Sequence, residues 1–274
     1  VGGSPTDITK IVVIEIGQTY NTISGPITAR RLINNGTLIV NKINPVIVDL
    51  NLVNNGTFTI FDDASLVQNC DVDNATANSN VGSVSMERIT PEMFRYDFTY
   101  WSSPVKDFIL KQVSPGTLFD KFFSWNIVTQ SWTEHPSNGT PELMVAGRGY
   151  TIRAPQSADL PGGTASTHTA TFIGVPNNGI VSQPISISDD INVSRWNLIG
   201  NPYPSAIDGE LLLADNANLS GTLYFWTHNS APTGAVNGYY TYSNSDYAAW
   251  NSLGATEACV SCIAHGGKIP AGQS

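Results

Sequence analysis

The feature that most constrains this chain is an internal copy. Leu32-Ile33-Asn34-Asn35-Gly36-Thr37-Leu38-Ile39-Val40 returns as Leu52-Val53-Asn54-Asn55-Gly56-Thr57-Phe58-Thr59-Ile60, an offset of 20 residues. Upstream, Pro26-Ile27 is echoed by Pro45-Val46 at an offset of 19, so a single insertion separates the two units. Each unit flanks Asn-Asn-Gly, a turn sequence that tolerates positive φ, with β-branched runs. A period near 20 with one turn per unit predicts rungs of a right-handed β-solenoid, in which no rung can bury its apolar face alone. Two successive antiparallel hairpins are the alternative, because Asn-Gly is also a strong hairpin signal. The near-constant offset and the shared phase of the corners favour the solenoid. With Ile8–Gln18 as a degenerate rung the count reaches about three, the minimum for a stable stack, and further rungs are expected ahead of Val1.

The next stretch changes character. Residues 62–84 are polar and turn-rich, and they divide the chain into solenoid rungs (1–70), a boundary segment (71–84) and an all-β module (85–274). Within that module a weaker duplication appears. Tyr100-Trp101-Ser102-Ser103-Pro104-Val105, Gly116-Thr117-Leu118-Phe119, Trp125 and Ala146-Gly147-Arg148 follow in order. Trp196-Asn197-Leu198-Ile199-Gly200-Asn201-Pro202, Gly221-Thr222-Leu223-Tyr224, Trp226 and Ala271-Gly272-Gln273 repeat that order about a hundred residues later. Two related halves are expected, 85–190 and 191–274, the second cut short where a strand matching Tyr150-Thr151-Ile152 should begin. The native chain is therefore expected to continue past Ser274. Trp101, Trp125, Trp196 and Trp226, which recur in both halves, read as core.

Strand signals dominate: Phe108-Ile109-Leu110, Tyr150-Thr151-Ile152, Thr169–Ile173 and Ile185–Ser188 are β-branched or alternating, with Gly and Pro punctuation. Only Ala206–Asn218 reads as helical. The fold class is all-β: a short solenoid end followed by a duplicated β-sandwich-like module.

Charge narrows the function. With 13 Lys+Arg against 22 Asp+Glu the net charge is −9, which disfavours nucleic acid and anionic membrane surfaces. Charged residues are only 13% of the chain, so 25 Asn together with Ser and Thr supply the polar surface. A hydrophobic fraction of 41% argues against disorder. No apolar run approaches the ~20 residues of a membrane-spanning helix, and no leader opens the chain at Val1, which reads as processed or cut from something longer.

The cysteines offer three readings. Cys259-Val260-Ser261-Cys262 has redox spacing but sits in a Gly/Ala-rich loop rather than at a helix N-terminus. Cys259, Cys262 and His265, with Cys70 as a fourth thiol, make a thin zinc set. A local Cys259–Cys262 disulfide in an oxidising compartment is favoured over zinc and over reduced structural thiols. No cofactor is expected beyond weak Ca2+. Asp71-Val72-Asp73 begins like an EF-hand loop and then fails at Ala75 and Thr76, and Asp189-Asp190 is another loop pair; solvated acids are the favoured reading of both. Catalysis has little support. No G-x-S-x-G elbow occurs, His135, His168, His228 and His265 fall in turn-like or strand-edge settings, and Glu92, Asp97, Asp120 and Glu210 are the pairs any acidic chain offers by chance.

Aromatics are the better lead. Tyr239-Tyr240-Thr241-Tyr242, then Asp246, Tyr247 and Trp250, lie among Asn, Ser and Gly. Rings that cover sugar C–H faces beside amides that read hydroxyls would make a glycan site of Tyr240, Tyr242, Asp246, Tyr247 and Trp250. Packing of the same rings in a strand core competes with that reading.

Three phrases carry a resemblance: Tyr96–Val105, Gly147–Pro155 and Trp196–Ser205. Over residues 60–274 the chain resembles a module of large surface proteins of Flavobacterium-like Bacteroidetes. The resemblance implies a module that follows solenoid or adhesin-like repeats and precedes a sorting signal for type IX secretion. It brings no catalytic residues, and the cysteine loop at 259–262 departs from its pattern. The expectation is a non-catalytic, secreted, cell-surface structural or adhesive segment, part of a filament or large adhesin. Its partners would be other copies, other segments of a surface assembly, or glycans, with no nucleic acid and no membrane insertion. The alternative is a carbohydrate-binding accessory region of a secreted polysaccharide-active protein.

Overall fold

The computed structural model describes residues 5–69, 79–136, 141–187, 195–219, 221–236, 239–251, 254–256 and 268–274. The repeat folds as its offset predicts. Strands β1 (Thr6–Ile14), β2 (Thr19–Asn21), β3 (Ile27–Asn34), β4 (Thr37–Val40), β5 (Val46–Val48), β6 (Leu52–Asn54), β7 (Thr57–Ile60), β8 (Leu66–Gln68) and β9 (Val84–Ile89) wind into a β-solenoid of about three turns. One sheet stacks β1, β3, β5 with β6, and β8; the other stacks β2, β4, β7 and β9, all in parallel. Leu32 pairs with Leu52, Asn34 with Asn54 and Val40 with Ile60, each 20 residues on, while Ile27 pairs with Val46, 19 on. Parallel pairing excludes the hairpin alternative.

Alternate positions point inward and bury completely: Ile27, Leu32, Leu38, Val40, Val46, Leu52 and Ile60 have no exposed surface. Each such side chain contributes about 1.5–3 kcal/mol of transfer free energy. The corners are held by side-chain amides. Asn34 Nδ2 donates to Asn54 Oδ1 at 2.7 Å and to the Thr57 carbonyl at 2.9 Å. Asn54 Nδ2 in turn donates to the Ser83 carbonyl at 2.6 Å. The glycines beside them serve close approach rather than turn geometry: neither Gly36 nor Gly56 has positive φ, which corrects the expected reason for them. A Cβ on Gly56 would lie 2.0 Å from the Gly36 carbonyl oxygen, and one on Gly36 2.4 Å from that of Gln18.

One end of the stack is closed. Antiparallel β14 (Thr169–Gly174) lies along β9, and the Leu66 N–H donates to the Pro204 carbonyl at 2.9 Å. Between them runs an antiparallel sheet, β10 (Phe98–Trp101), β13 (Tyr150–Arg153), β11 (Phe122–Asn126) and β12 (Ser131–Glu134), in that spatial order. Trp101, Phe122, Tyr150 and Ile152 on one face join the same buried cluster as the solenoid interior, with Phe172 of β14 between them. The strand β9 thus belongs to the solenoid sheet although it follows the polar segment. The run Phe108-Ile109-Leu110, expected as a strand, instead leads into a 3-10 turn at Leu110–Val113, and residues 185–187 form no strand.

The remaining elements are short. The one described α-helix, α1 (Gly209–Asp215), lies inside the expected 206–218 window and follows β15 (Ile207–Asp208). Asp208 caps it, its carboxylate accepting from the N–H groups of Glu210 and Leu211. Strands β16 (Thr222–Trp226), β19 (Tyr247–Asn251) and β20 (Gly254–Thr256) form a second antiparallel sheet; β17 (Thr233–Val236) and β18 (Tyr239–Thr241) form a hairpin; β21 (Lys268–Ile269) pairs with β15.

The duplicated phrases meet each other. Two turns end with glycine at positive φ, Gly147 at 79° and Gly272 at 70°. The Gly147 carbonyl accepts from the Gly200 N–H at 2.9 Å, and the Gly272 carbonyl accepts from the Ser102 N–H at 3.0 Å. Elsewhere the halves diverge. Thr117 is in a turn where Thr222 opens β16, and Trp101 is 2% exposed where Trp196 is 52% exposed. Of the four tryptophans expected in the core only Trp101 is buried; Trp125 and Trp226 are half-buried on a different face.

Candidate functional site

That face carries the site. In β10, β11 and β12 the residues turned away from the solenoid are Phe98, Tyr100, Phe123, Trp125 and Trp132, because side chains alternate across a strand. Register aligns them: Trp125 pairs with Trp132 and packs edge-to-face at 5.0 Å, while Tyr100 and Phe123 flank Thr151 of β13. From the opposite side β16 and β19 bring Trp226 and Tyr247, themselves cross-strand partners 4.9 Å apart.

Between these rows lies a cleft of about 360 Å³, lined by Phe98, Tyr100, Phe123, Trp132, Thr151 and Trp226, with Tyr242, Ser243, Asn244 and Tyr247 at the second side. Its volume falls within the range of small-ligand sites. Tyr100 and Trp226 face one another at 6.2 Å with planes 26° apart, and the Tyr100 and Tyr247 hydroxyls hydrogen-bond at 2.6 Å. The Tyr242 hydroxyl donates to the Tyr96 carbonyl at 2.8 Å. Two buried polar atoms beside the cleft, Thr151 Oγ1 and Trp226 Nε1, have no hydrogen-bond partner among the described residues, and Thr151 is only 4% exposed. A buried polar group left unpaired costs about 1–3 kcal/mol.

Among the described residues no Asp, Glu, Lys or Arg lines the cleft. Burial raises the Tyr100 phenol far above its ordinary value, helped by the Tyr247 hydroxyl. Burial, then the nearby Asp97 carboxylate, pushes Tyr242 up to about 12. Both rings stay neutral donors through the physiological range. Behind them Asp97 is held above its ordinary value, chiefly by burial.

Of the residues expected to read glycans, Tyr242 and Tyr247 line the cleft. Tyr240 stacks on Tyr96 at 3.9 Å outside it. Asp246 is a correction: it is 1% exposed and spends its carboxylate on the Ser230 N–H and hydroxyl, bracing a loop instead of facing a ligand. Trp250 is another, since in β19 it alternates to the face opposite Tyr247. Trp226 was read as core because it recurs in the copied phrases, and Tyr100 and Trp132 were missed because no local pattern singles them out. Cys70, Asp71, Asp73, Asp189, Asp190, Cys259, Cys262 and His265 lie outside the described residues. Among the described residues no three His, Cys, Asp or Glu gather as a metal site, and no helix is long and apolar enough to cross a membrane.

One acid–base relay does form. His135 Nε2 lies 2.7 Å from Ser124 Oγ and its Nδ1 lies 2.6 Å from Glu142 Oε1. Ser124 points to the core face of β11 and is 5% exposed, and the cavity beside His135 holds about 20 Å³, room for one water. No substrate carbonyl fits there, so the triplet braces the strand. The other acids do not converge: Glu92 and Glu210 are exposed, and Asp120 pairs with Lys121 at 2.6 Å.

The fold and the cleft define a β-solenoid protein with an aromatic-faced antiparallel layer on its closed end. The chain belongs to the family described as Domain of unknown function (DUF8693), whose model matches residues 1–274. No curated protein and no solved structure matches it.

Proposed function

We propose that the chain is a non-catalytic, extracellular structural and adhesive segment whose solenoid is a rigid support and whose aromatic cleft binds carbohydrate. The observation that carries this reading is the cleft itself: ring faces for C–H surfaces, tyrosine hydroxyls with Ser243 and Asn244 for sugar hydroxyls, and no charged side chain among its described lining residues. The resemblance to surface proteins of Flavobacterium-like Bacteroidetes supports a secreted, cell-surface setting and export as type IX cargo. The reciprocal bonds of Gly147 and Gly272 support two related halves in one sandwich-like module. Contact with other copies or with other segments of a surface assembly, as in a filament, belongs to the same reading.

A glycan array probed with the purified protein tests the reading. Binding is expected, lost in Tyr242→Ala and kept in Trp250→Ala, which lies on the far face. Silence across the array, or equal loss in both variants, overturns it.

A further inference from the structure

The aromatic rings do not stop at the mouth of the cleft. Tyr224 precedes Trp226 by two residues in β16 and so shares its face, roughly 7 Å away. Tyr224 packs edge-to-face on Trp196 at 4.7 Å. The Trp196 carbonyl accepts from Trp125 Nε1 at 2.8 Å, and Trp125 packs on Trp132, 6.2 Å from Tyr100 inside the cleft. The rings therefore form one track, deep at Tyr247 and Trp226 and open at Trp132, Trp196 and Tyr224. The outer three are 44%, 52% and 44% exposed. They are nonetheless held still: Gln130 clamps the Trp196 backbone, accepting from its N–H at 2.9 Å and donating to its carbonyl at 3.1 Å. Exposed aromatics fixed in this way lose little freedom on binding.

We infer that this track takes a linear polysaccharide of uncharged pyranose units, several units long, rather than a single sugar; the inference rests on the carbohydrate reading above. One ring cannot reach from Trp226 to Trp196, so a short sugar would leave the outer rings unused. Charge excludes the acidic polymers. Among the described residues no cation lines the cleft to pair with a uronate, since Arg153 on the same face is 8% exposed and donates to Gln156. Glu134 stands opposite Phe123 on the track's own face, and the whole chain carries −9. A proline-rich peptide also favours aromatic grooves, yet it offers carbonyl acceptors almost alone. Ser243, Asn244 and the Tyr100–Tyr247 hydroxyl pair can both donate and accept, as sugar hydroxyls require.

The test is titration calorimetry of the full chain with cello-, manno- and xylo-oligosaccharides of one to six units, with hexagalacturonate and a ten-residue polyproline alongside. In one neutral series, affinity should rise about tenfold from two units to six, the increment expected of one or two more ring contacts. Trp132→Ala and Tyr224→Ala, both exposed, should each weaken the six-unit ligand about fivefold and leave the two-unit ligand unchanged. Circular dichroism of both variants should match the parent. Affinity independent of length, with both variants silent, overturns the track and leaves the carbohydrate reading standing. Absence of binding to every sugar at every length overturns both. Tighter binding of hexagalacturonate or polyproline overturns the assignment of a neutral polysaccharide.

Discussion

The solenoid and the sheet that closes it solve the same packing problem in opposite ways. In the solenoid each rung repeats the last, so identical groups lie above one another and satisfy one another: Leu32 on Leu52, Asn34 on Asn54, Gly36 against Gly56. The interior is apolar, and the Asn34 and Asn54 corner amides are paired. In the antiparallel layer the neighbours are unlike one another and no repeat relates them. One face is finished against the solenoid by Trp101, Phe122, Tyr150 and Ile152; the other ends in rings that enclose a cleft and leave Thr151 Oγ1 and Trp226 Nε1 unpaired. The first arrangement gives rigidity and the second gives a surface that can still form bonds. Buried polar atoms without a partner among the described residues occur in both regions, Asn51 Oδ1 and Arg88 Nε in the solenoid included, so it is the open aromatic face that marks where binding can be.

Substitutions can break that contrast. The largest effect is expected from Gly56→Ala, whose new Cβ would meet a backbone oxygen that cannot move without its rung; thermal unfolding should show a loss of about 3 kcal/mol or more. Leu52→Ala should cost about 2–5 kcal/mol for the cavity it opens in the stack. Asn34→Ala removes a buried amide and strands its partners on Asn54 and Thr57, and denaturant titration should show about 1–3 kcal/mol lost.

Effects in the layer should be smaller and pH-dependent. Asp97 is raised above 3.8 by burial, with Asp246 adding to the rise and His228 opposing it. The fold therefore prefers the protonated acid, and stability falls as pH rises through the raised value. Asp97→Asn keeps an acceptor for the Phe94 N–H, so it should raise the melting temperature at pH 7 and match the parent at pH 3. For the buried phenols the sign is the same. Tyr242 has its pKa raised from 10.0 to about 12, so its contribution is complete below pH 10 and drains away as pH climbs toward 12. A parent-minus-Tyr242→Phe stability difference followed by alkaline titration checks this. The smallest effect belongs to Thr151→Val. Removing a buried unpaired hydroxyl should leave stability unchanged or raise it by up to about 1 kcal/mol, read by thermal unfolding. A loss as large as that of Asn34→Ala would dissolve the distinction between the two regions.

The strand register of the solenoid was legible before any coordinates, because stacking in parallel is a translation along the chain and leaves its period, 20 residues, in the sequence itself. The helix at 209–215 was legible for a similar reason, its cap and its apolar run being neighbours. Half the site was readable too: Tyr242 and Tyr247 lie five residues apart in one aromatic cluster. Asp246 and Trp250 belong to the same cluster and point elsewhere, since composition does not say which face of a strand a residue takes. Trp226 meets Tyr247 by antiparallel pairing, while Tyr100 and Trp132 reach those tyrosines only by packing between sheets across more than a hundred residues, and neither imprints a period. The sequence alone determined the repeating support, where each contact is local to its rung. Only the tertiary structure decided the cleft, because its walls are built from strands whose nearness depends on the packing of the whole chain.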